Sequence, residues 1–455
     1  RNTVRTVVAI WLSMAASVPR GEVMTVWDDA TVRERVWDHI SGARWFSGKG
    51  RCGSLTRLLP LAPVVNEQDL QVLPVIAHVG YPQAADEYYQ LLLALRPGRV
   101  AGLAEIVANG QPFTVTDATE DELALTAWAR ILLEGTPIAM DGSWQLHRRR
   151  AAPEPVRFVK RFGGEQSNTS FMVGDAIIIK MFRRLEPGDN LDITVHNALN
   201  DAGISSVATL YGFMSGQIPA EEHIPVDLAM IIERLPQPRD GWELITAKAV
   251  DLVDVTDLLA GLGQCLRTIH EALRHTFSTV EIDGSRVADD MVRRLDAAVV
   301  TAPALARYRG TLTARFEKLR GRHLAAQRIH GDFHLGQTLL TPGGWRIIDF
   351  EGEPLKPLAE RRLPDSRWRD VAGMMRSLSY ATSAHARPTA PQTLTWARRA
   401  SEAFLTGYGW PNTAEQDVLA AYEADKASYE IVYETLNRPT WVDIPLSAIR
   451  AMGQD

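Results

Sequence analysis

The sequence predicts an α+β protein in which a small β-rich lobe precedes a larger helical lobe, and three observations carry that expectation. Residues 156–235 alternate glycine-containing turns with apolar, β-branched runs at 171–173, 176–182 and 228–232. From residue 242 onward apolar residues recur at helical spacing, in stretches at 253–273, 291–300, 308–326, 396–408 and 414–436. One short β-rich segment, 337–350, interrupts those helices and reads as a hairpin.

Ahead of the β-lobe, residues 26–146 mix strand-like runs at 70–79 and 88–95 with a strong helical stretch at 120–133, which reads as a separate α+β cap. A polar stretch rich in Arg and Pro, 147–155, opens the next segment as a linker. The expected order is an N-terminal extension at 1–25, the cap at 26–146, the β-lobe at 147–236 and the helical lobe at 237–455.

Composition sets limits on function. The 455 residues are 45% hydrophobic and 23% charged, as in an ordinary globular protein, and carry a formal net charge of −6. Such a chain has no global basic field to draw nucleic acid or anionic lipid, so neither is expected as a partner. Cys52 and Cys265 are the only cysteines, with neither a metal-binding spacing nor a disulfide framework between them. A reducing cytoplasm fits, and a monomer is expected. The apolar run 7–18 follows Arg1 and Arg5 and looks like a signal peptide. It is too short to span a bilayer, and the expectation is an extension upstream of a native start at Met24.

The densest chemical signal is His330-Gly331-Asp332-Phe333-His334-Leu335-Gly336-Gln337, followed by Trp345-Arg346-Ile347-Ile348-Asp349-Phe350-Glu351. Phosphoryl transfer needs one carboxylate to orient the attacking hydroxyl and accept its proton, and a second to hold the Mg²⁺ that bridges the phosphates. Asp332 is assigned as the base and Asp349 as the principal metal ligand. Gln337 stands where kinase loops carry an Asn, so its amide oxygen is the candidate for a second Mg²⁺ position. Each fragment alone reads equally well as a polar turn or a capped strand end. Together, behind a β-lobe, they point to catalysis. His330 and His334 read as braces of the loop and not as a metal pair, with His334 also close enough to the base to border the acceptor.

Within the β-lobe, Gly163-Gly164-Glu165-Gln166-Ser167-Asn168-Thr169-Ser170 lies between two strand candidates. Backbone amides in such a turn, with the side chains of Gln166, Ser167, Asn168, Thr169 and Ser170, can cradle the phosphates of ATP. Lys180, on the strand that follows, is placed to hold the α- and β-phosphates. The run Leu228-Ala229-Met230-Ile231-Ile232-Glu233-Arg234-Leu235-Pro236 ends the lobe, and the main chain at Glu233 and Leu235 is expected to receive adenine. A β-lobe followed by a helical lobe with an inserted hairpin is the order of kinase-like folds.

At these residues the sequence resembles the actinobacterial maltokinase-like sugar kinases, relatives of aminoglycoside and choline phosphotransferases. Further motifs carry the resemblance: Arg44-Trp45-Phe46-Ser47-Gly48-Lys49-Gly50-Arg51 in the cap, Gly352-Glu353-Pro354, Glu360-Arg361-Arg362 and Arg369-Asp370-Val371-Ala372-Gly373-Met374. Tyr422-Glu423-Ala424-Asp425-Lys426 and Asn437-Arg438-Pro439-Thr440-Trp441 complete the set. The resemblance implies a protein-kinase-like fold with an N-terminal cap, ATP and Mg²⁺ as cofactors, and a small sugar as acceptor. Relatives carry a Glu in the first turn of the helix after the lysine strand. This chain reads Asp192-Ile193-Thr194-Val195, with Asp192 the candidate to replace it.

Two acceptors stay open: glucosamine, phosphorylated on its 6-hydroxyl, and maltose, phosphorylated on its anomeric hydroxyl. Glu423, Glu430 and Glu434 fall on one helical face, with Arg438 and Trp441 just beyond. Carboxylates and an indole suit the ammonium of an amino sugar, so glucosamine is preferred, with Asp332, His334, Glu430, Glu434, Arg438 and Trp441 as the acceptor-binding set. A solvated, salt-bridged helix face is the competing reading of those acids. An aminoglycoside phosphotransferase fits the motifs less well. A non-catalytic nucleotide-binding module is disfavoured because Lys180, Asp332 and Asp349 are all present.

Overall fold

A computed structural model of the chain describes residues 27–452, apart from 68, 100, 109–110, 136–137, 140, 164–166, 220–222 and 354–355. The expected N-terminal extension and Gln166 of the glycine-serine loop lie outside the described residues. The chain divides into two compact units, Arg1–Ile193 with Thr209–Arg234, and Thr194–Ala208 with Leu235–Asp455.

The first unit is built on two antiparallel sheets. The seven-stranded cap sheet centres on a long hairpin, Leu70–Tyr81 with Ala84–Pro97. These strands read as almost unbroken apolar runs because both faces are covered. Leu73, Val75, Ala77 and Val79 share a core with Val32, Val36 and Ile40 of the helix Ala30–Gly42. The alternate residues Val72 and Ile76 pack with Leu125 and Trp128 of the helix Glu122–Glu134. Period-two alternation sends successive side chains to the two cores. Aspartates cap both helices: Asp29 accepts the N–H groups of Thr31 and Val32, and Asp121 those of Leu123 and Ala124.

The cap motif around Trp45 has a structural explanation. Arg51, Tyr81 and Tyr89 all donate to the buried carboxylate of Glu87, at 2.7, 2.7 and 2.6 Å, while Arg184 lies 3.1 Å from its other oxygen. Ser47 joins through the Tyr89 hydroxyl at 2.7 Å. The short strand Arg184–Leu185 also pairs with the cap hairpin. The second sheet has six strands, and the apolar strand Ile177–Met181 lies within it, between Thr169–Val173 and Ile224–Glu233.

The second unit is mainly helical. The expected helices at 253–273, 396–408 and 414–436 are Thr256–Thr276, Pro391–Tyr408 and Thr413–Asn437, and that at 291–300 extends to Gly284–Thr301. The expected helix at 308–326 is different: it stops as Arg309–Glu317, and His323–Ala326 becomes a strand paired with Val280–Asp283. The break follows from Gly321, whose φ of +71° turns the chain where a helix would need αR backbone. The hairpin expected at 337–350 pairs Thr338–Thr341 with Gly344–Ile347.

Candidate active site

Each unit carries part of the expected chemistry. In the first, the register of the central sheet places Lys180 opposite Ser170 on one side and Met230 on the other. The Lys180 ammonium donates to Asp192 Oδ2 at 3.0 Å, with the two side chains 9% and 4% exposed. Asp192 stands in the first turn of the helix Leu191–Asp201, the position from which it was the candidate to replace the relatives' Glu.

The loop expected to cradle phosphates is more structural than its sequence suggests. Thr169 Oγ1 accepts from Arg183 Nε at 2.7 Å, and Asn168 Oδ1 accepts the Arg183 N–H at 3.4 Å. Arg183 is fully buried, stacks on Trp45 at 4.6 Å and reaches the Gln90 carbonyl and Thr119 hydroxyl. Burial lowers its guanidinium pKa to about 10. Ser167 is exposed and Ser170 buried. Glu233 uses its carboxylate on the hydroxyl and N–H of Thr209 at 2.9 and 3.1 Å, and its own N–H on the Thr209 carbonyl. Its main-chain N–H is thereby already engaged. Leu235 is buried.

In the second unit, Asp332 is held by groups distant in sequence. Asp370, in the first turn of the helix Trp368–Ala381, accepts the backbone N–H groups of His330 at 2.8 Å and Gly331 at 2.9 Å, and lies 2.9 Å from His270 Nε2. Burial pushes the Asp370 carboxyl up, but His270, His330 and the amide donors outweigh it and hold it below its ordinary value. Gly331 turns the chain with a φ of +87°, so that Asp332 follows at once. Gly373 lets the same helix approach the loop: a Cβ there would lie 2.5 Å from the Phe333 carbonyl oxygen. His330 braces the loop through Nε2 to the Ile348 carbonyl at 3.0 Å, and His334 through Nδ1, which accepts the Gly336 N–H at 3.1 Å.

Lys426, from the helix Thr413–Asn437, donates to Asp332 Oδ1 at 3.3 Å, and His334 Nε2 lies 3.9 Å from Oδ2. Burial raises the Asp332 pKa, yet Lys426, His334 and His330 together hold it below the ordinary carboxylate range. A half-buried carboxylate that stays ionised is the result. Burial lowers the His334 pKa, against the pull of the neighbouring Asp332.

Asp349 follows the hairpin with a φ of +66°, a backbone conformation that costs a non-glycine residue about 1–3 kcal/mol. Its Oδ2 lies 3.3 Å from the side-chain nitrogen of Gln337. The same amide turned over would present its oxygen, and an oxygen-only pair of this kind suits Mg²⁺.

A cavity of about 280 Å³ opens beside Asp332, with Glu353, Lys356, Arg369, Asp425 and Lys426 on its wall. Glu353 is bound by Arg369 at 2.6 Å, and Asp425 by Arg294 at 2.8 and 3.1 Å. Of the residues expected to bind the acceptor, only Asp332 lines this cavity. Glu430 is gripped by Arg376 at 2.6 and 3.0 Å, and Glu434 accepts from Tyr380 at 3.5 Å. Arg438 lies over the ring of Trp441 at 5.3 Å. The sequence reading had not singled out Glu353, Arg369, Asp370 and Lys426, although all four stand in the motifs that carried the family resemblance.

A β-lobe lysine held by a helix carboxylate, a loop aspartate tethered by a helix, and a second aspartate after a hairpin are the arrangement expected of a kinase-like phosphotransferase. Residues 159–360 match the model of the phosphotransferase enzyme family. It is 26% identical over 328 residues to a glucosamine kinase of Mycolicibacterium smegmatis, covering 63% of this chain and 78% of that protein. To a glucosamine kinase of Streptacidiphilus jiangxiensis it is 27% identical over 358 residues, covering 66% and 77%. Its fold is similar to that of a glucosamine kinase solved in complex with glucosamine, ADP and inorganic phosphate, with a TM-score of 0.65 and 19% identity over 91% of this chain and 98% of that one. A second crystal form of a glucosamine kinase gives 0.69 over 96% and 100%.

Proposed function

We propose that the chain is an ATP-dependent sugar kinase that converts glucosamine and ATP to glucosamine 6-phosphate and ADP. The observation that carries the reaction class is Asp332, half-buried yet held ionised on the wall of a cavity suited to a small acceptor. The choice of glucosamine is supported by the two relatives, whose similarity runs well beyond the family domain.

Asp332 orients the acceptor hydroxyl and takes its proton as the oxygen bonds to the γ-phosphorus and the bond to ADP breaks. Lys426 keeps that carboxylate ionised and fixes its orientation. Lys180, steadied by Asp192, holds the nucleotide phosphates. Asp349 and Gln337 are the residues that would hold Mg²⁺, which neutralises charge on the phosphates when bound. The test is ATP consumption measured across glucosamine, glucose, maltose and kanamycin. Glucosamine should give the highest kcat/KM. Faster turnover of maltose would replace the acceptor, and consumption with none of the four would remove the sugar kinase reading.

A further inference from the structure

The Lys180–Asp192 pair depends on where the helix Leu191–Asp201 begins, because the aspartate side chain has a single methylene and cannot follow a displaced backbone. One strand, Ile224–Glu233, fixes both ends of the pair. Its Met230 lies opposite Lys180 in the antiparallel ladder. Its Asp227, 9% exposed, accepts the backbone N–H of Asn190 at 2.7 Å. Asn190 in turn caps the helix: its carboxamide oxygen accepts the N–H groups of Asp192 at 2.8 Å and Ile193 at 3.3 Å. The Pro225 carbonyl accepts the N–H of Gly188 at 2.8 Å, so the loop entering the helix lies along the strand. A cavity of about 310 Å³, with Gly188, Asp189, Phe213 and Asp227 on its wall, borders this loop. On that side the loop faces open space, and the hydrogen bonds add to the packing of Leu191 and Ile193 in placing the helix start.

We propose that Asp227 is a positioning residue: it holds the Asn190 cap, the cap sets the first helical turn, and the turn sets the Asp192 carboxylate against Lys180. A carboxylate acceptor suits this task, since a charge-assisted bond to a backbone N–H is roughly twice as strong as a neutral one. The inference rests on reading Lys180 as the lysine that holds the nucleotide phosphates.

The test is a double-mutant cycle in the full chain, read as MgATP affinity by calorimetry alongside kcat and both KM values. Asp227→Ala should weaken MgATP binding about three- to tenfold, the range of a lost helix cap, without changing KM for the acceptor. In an Asp192→Ala background the same change should have no further effect on affinity, because the relay ends at Asp192. Asp227→Asn, whose amide oxygen can still accept the Asn190 N–H, should keep most of the affinity. Asn190→Ala, at a half-buried cap, should reproduce the loss and serves if Asp227→Ala does not fold. An equal loss in both backgrounds, or a lower Tm with MgATP affinity unchanged, would overturn the proposal. If Lys180→Ala and Asp192→Ala both leave MgATP affinity unchanged, the reading of Lys180 itself fails, and the relay with it.

Discussion

Each unit of the chain contains a lysine–aspartate pair, and the two do opposite work. Lys180 and Asp192 meet at 3.0 Å with side chains 9% and 4% exposed, a pair sealed between a central strand and a helix start. Lys426 and Asp332 meet at 3.3 Å with side chains 30% and 19% exposed, on the wall of a cavity. In the sealed pair the aspartate orients the lysine. In the open pair the lysine, together with His334 and His330, offsets the desolvation of the aspartate, so that a carboxylate on the cavity wall stays charged. On the proposed function, the same two residue types become an anchor or a base according to which partner is reachable.

The largest effect should come from the open pair. Asp332→Asn removes the proton acceptor and should lower kcat by about 10²–10⁴-fold while leaving MgATP affinity intact. An Asn variant with more than a tenth of the activity would erase the distinction between anchor and base. The pH dependence sharpens it: because Asp332 is held below the ordinary carboxylate range, its protonation should not limit kcat/KM near neutral pH.

Glu430 and Arg376 form a third pair, 13% and 4% exposed, which belongs with the sealed kind. Glu430→Gln should cost about 3–5 kcal/mol of stability, the usual result of stranding a buried partner, measured by denaturant unfolding. Turnover of glucosamine and glucose should fall together. A loss confined to glucosamine would move Glu430 into the acceptor site and make its pair an open one.

The smallest effect concerns Glu423, whose carboxyl burial pushes up to about 7, against the pull of Arg376 and Arg315. Between the ordinary glutamate value and about 7 the folded protein holds a proton that the unfolded chain lacks. Stability contributed by this group is therefore lost as pH rises through that window and levels off above it. Glu423→Gln should flatten the decline and raise Tm at pH 8 relative to the unmodified protein. A Tm profile that does not change with the substitution would show that Glu423 ionises freely.

Much of this was legible in the sequence wherever the determinants are local. The strand bearing Lys180 announced itself by its apolar run and the hairpin ahead of Asp349 by its β-rich composition, while a short motif singled out Asp332. The helix expected at 308–326 failed because one glycine adopted a backbone angle that its neighbours do not encode. Asp192 could be named as a candidate for the lysine partner from its place in the chain, but only the sheet register and the helix cap set its oxygen 3.0 Å from Lys180. The acceptor side was decided almost wholly by tertiary structure. Glu430 and Lys426 stand one helical turn apart, and both could have faced Asp332. Packing against the helix Trp368–Ala381 gave Glu430 to Arg376, while Lys426 reached Asp332. Helical period states which residues share a face, but which neighbour that face meets is fixed by contacts between segments far apart in the chain.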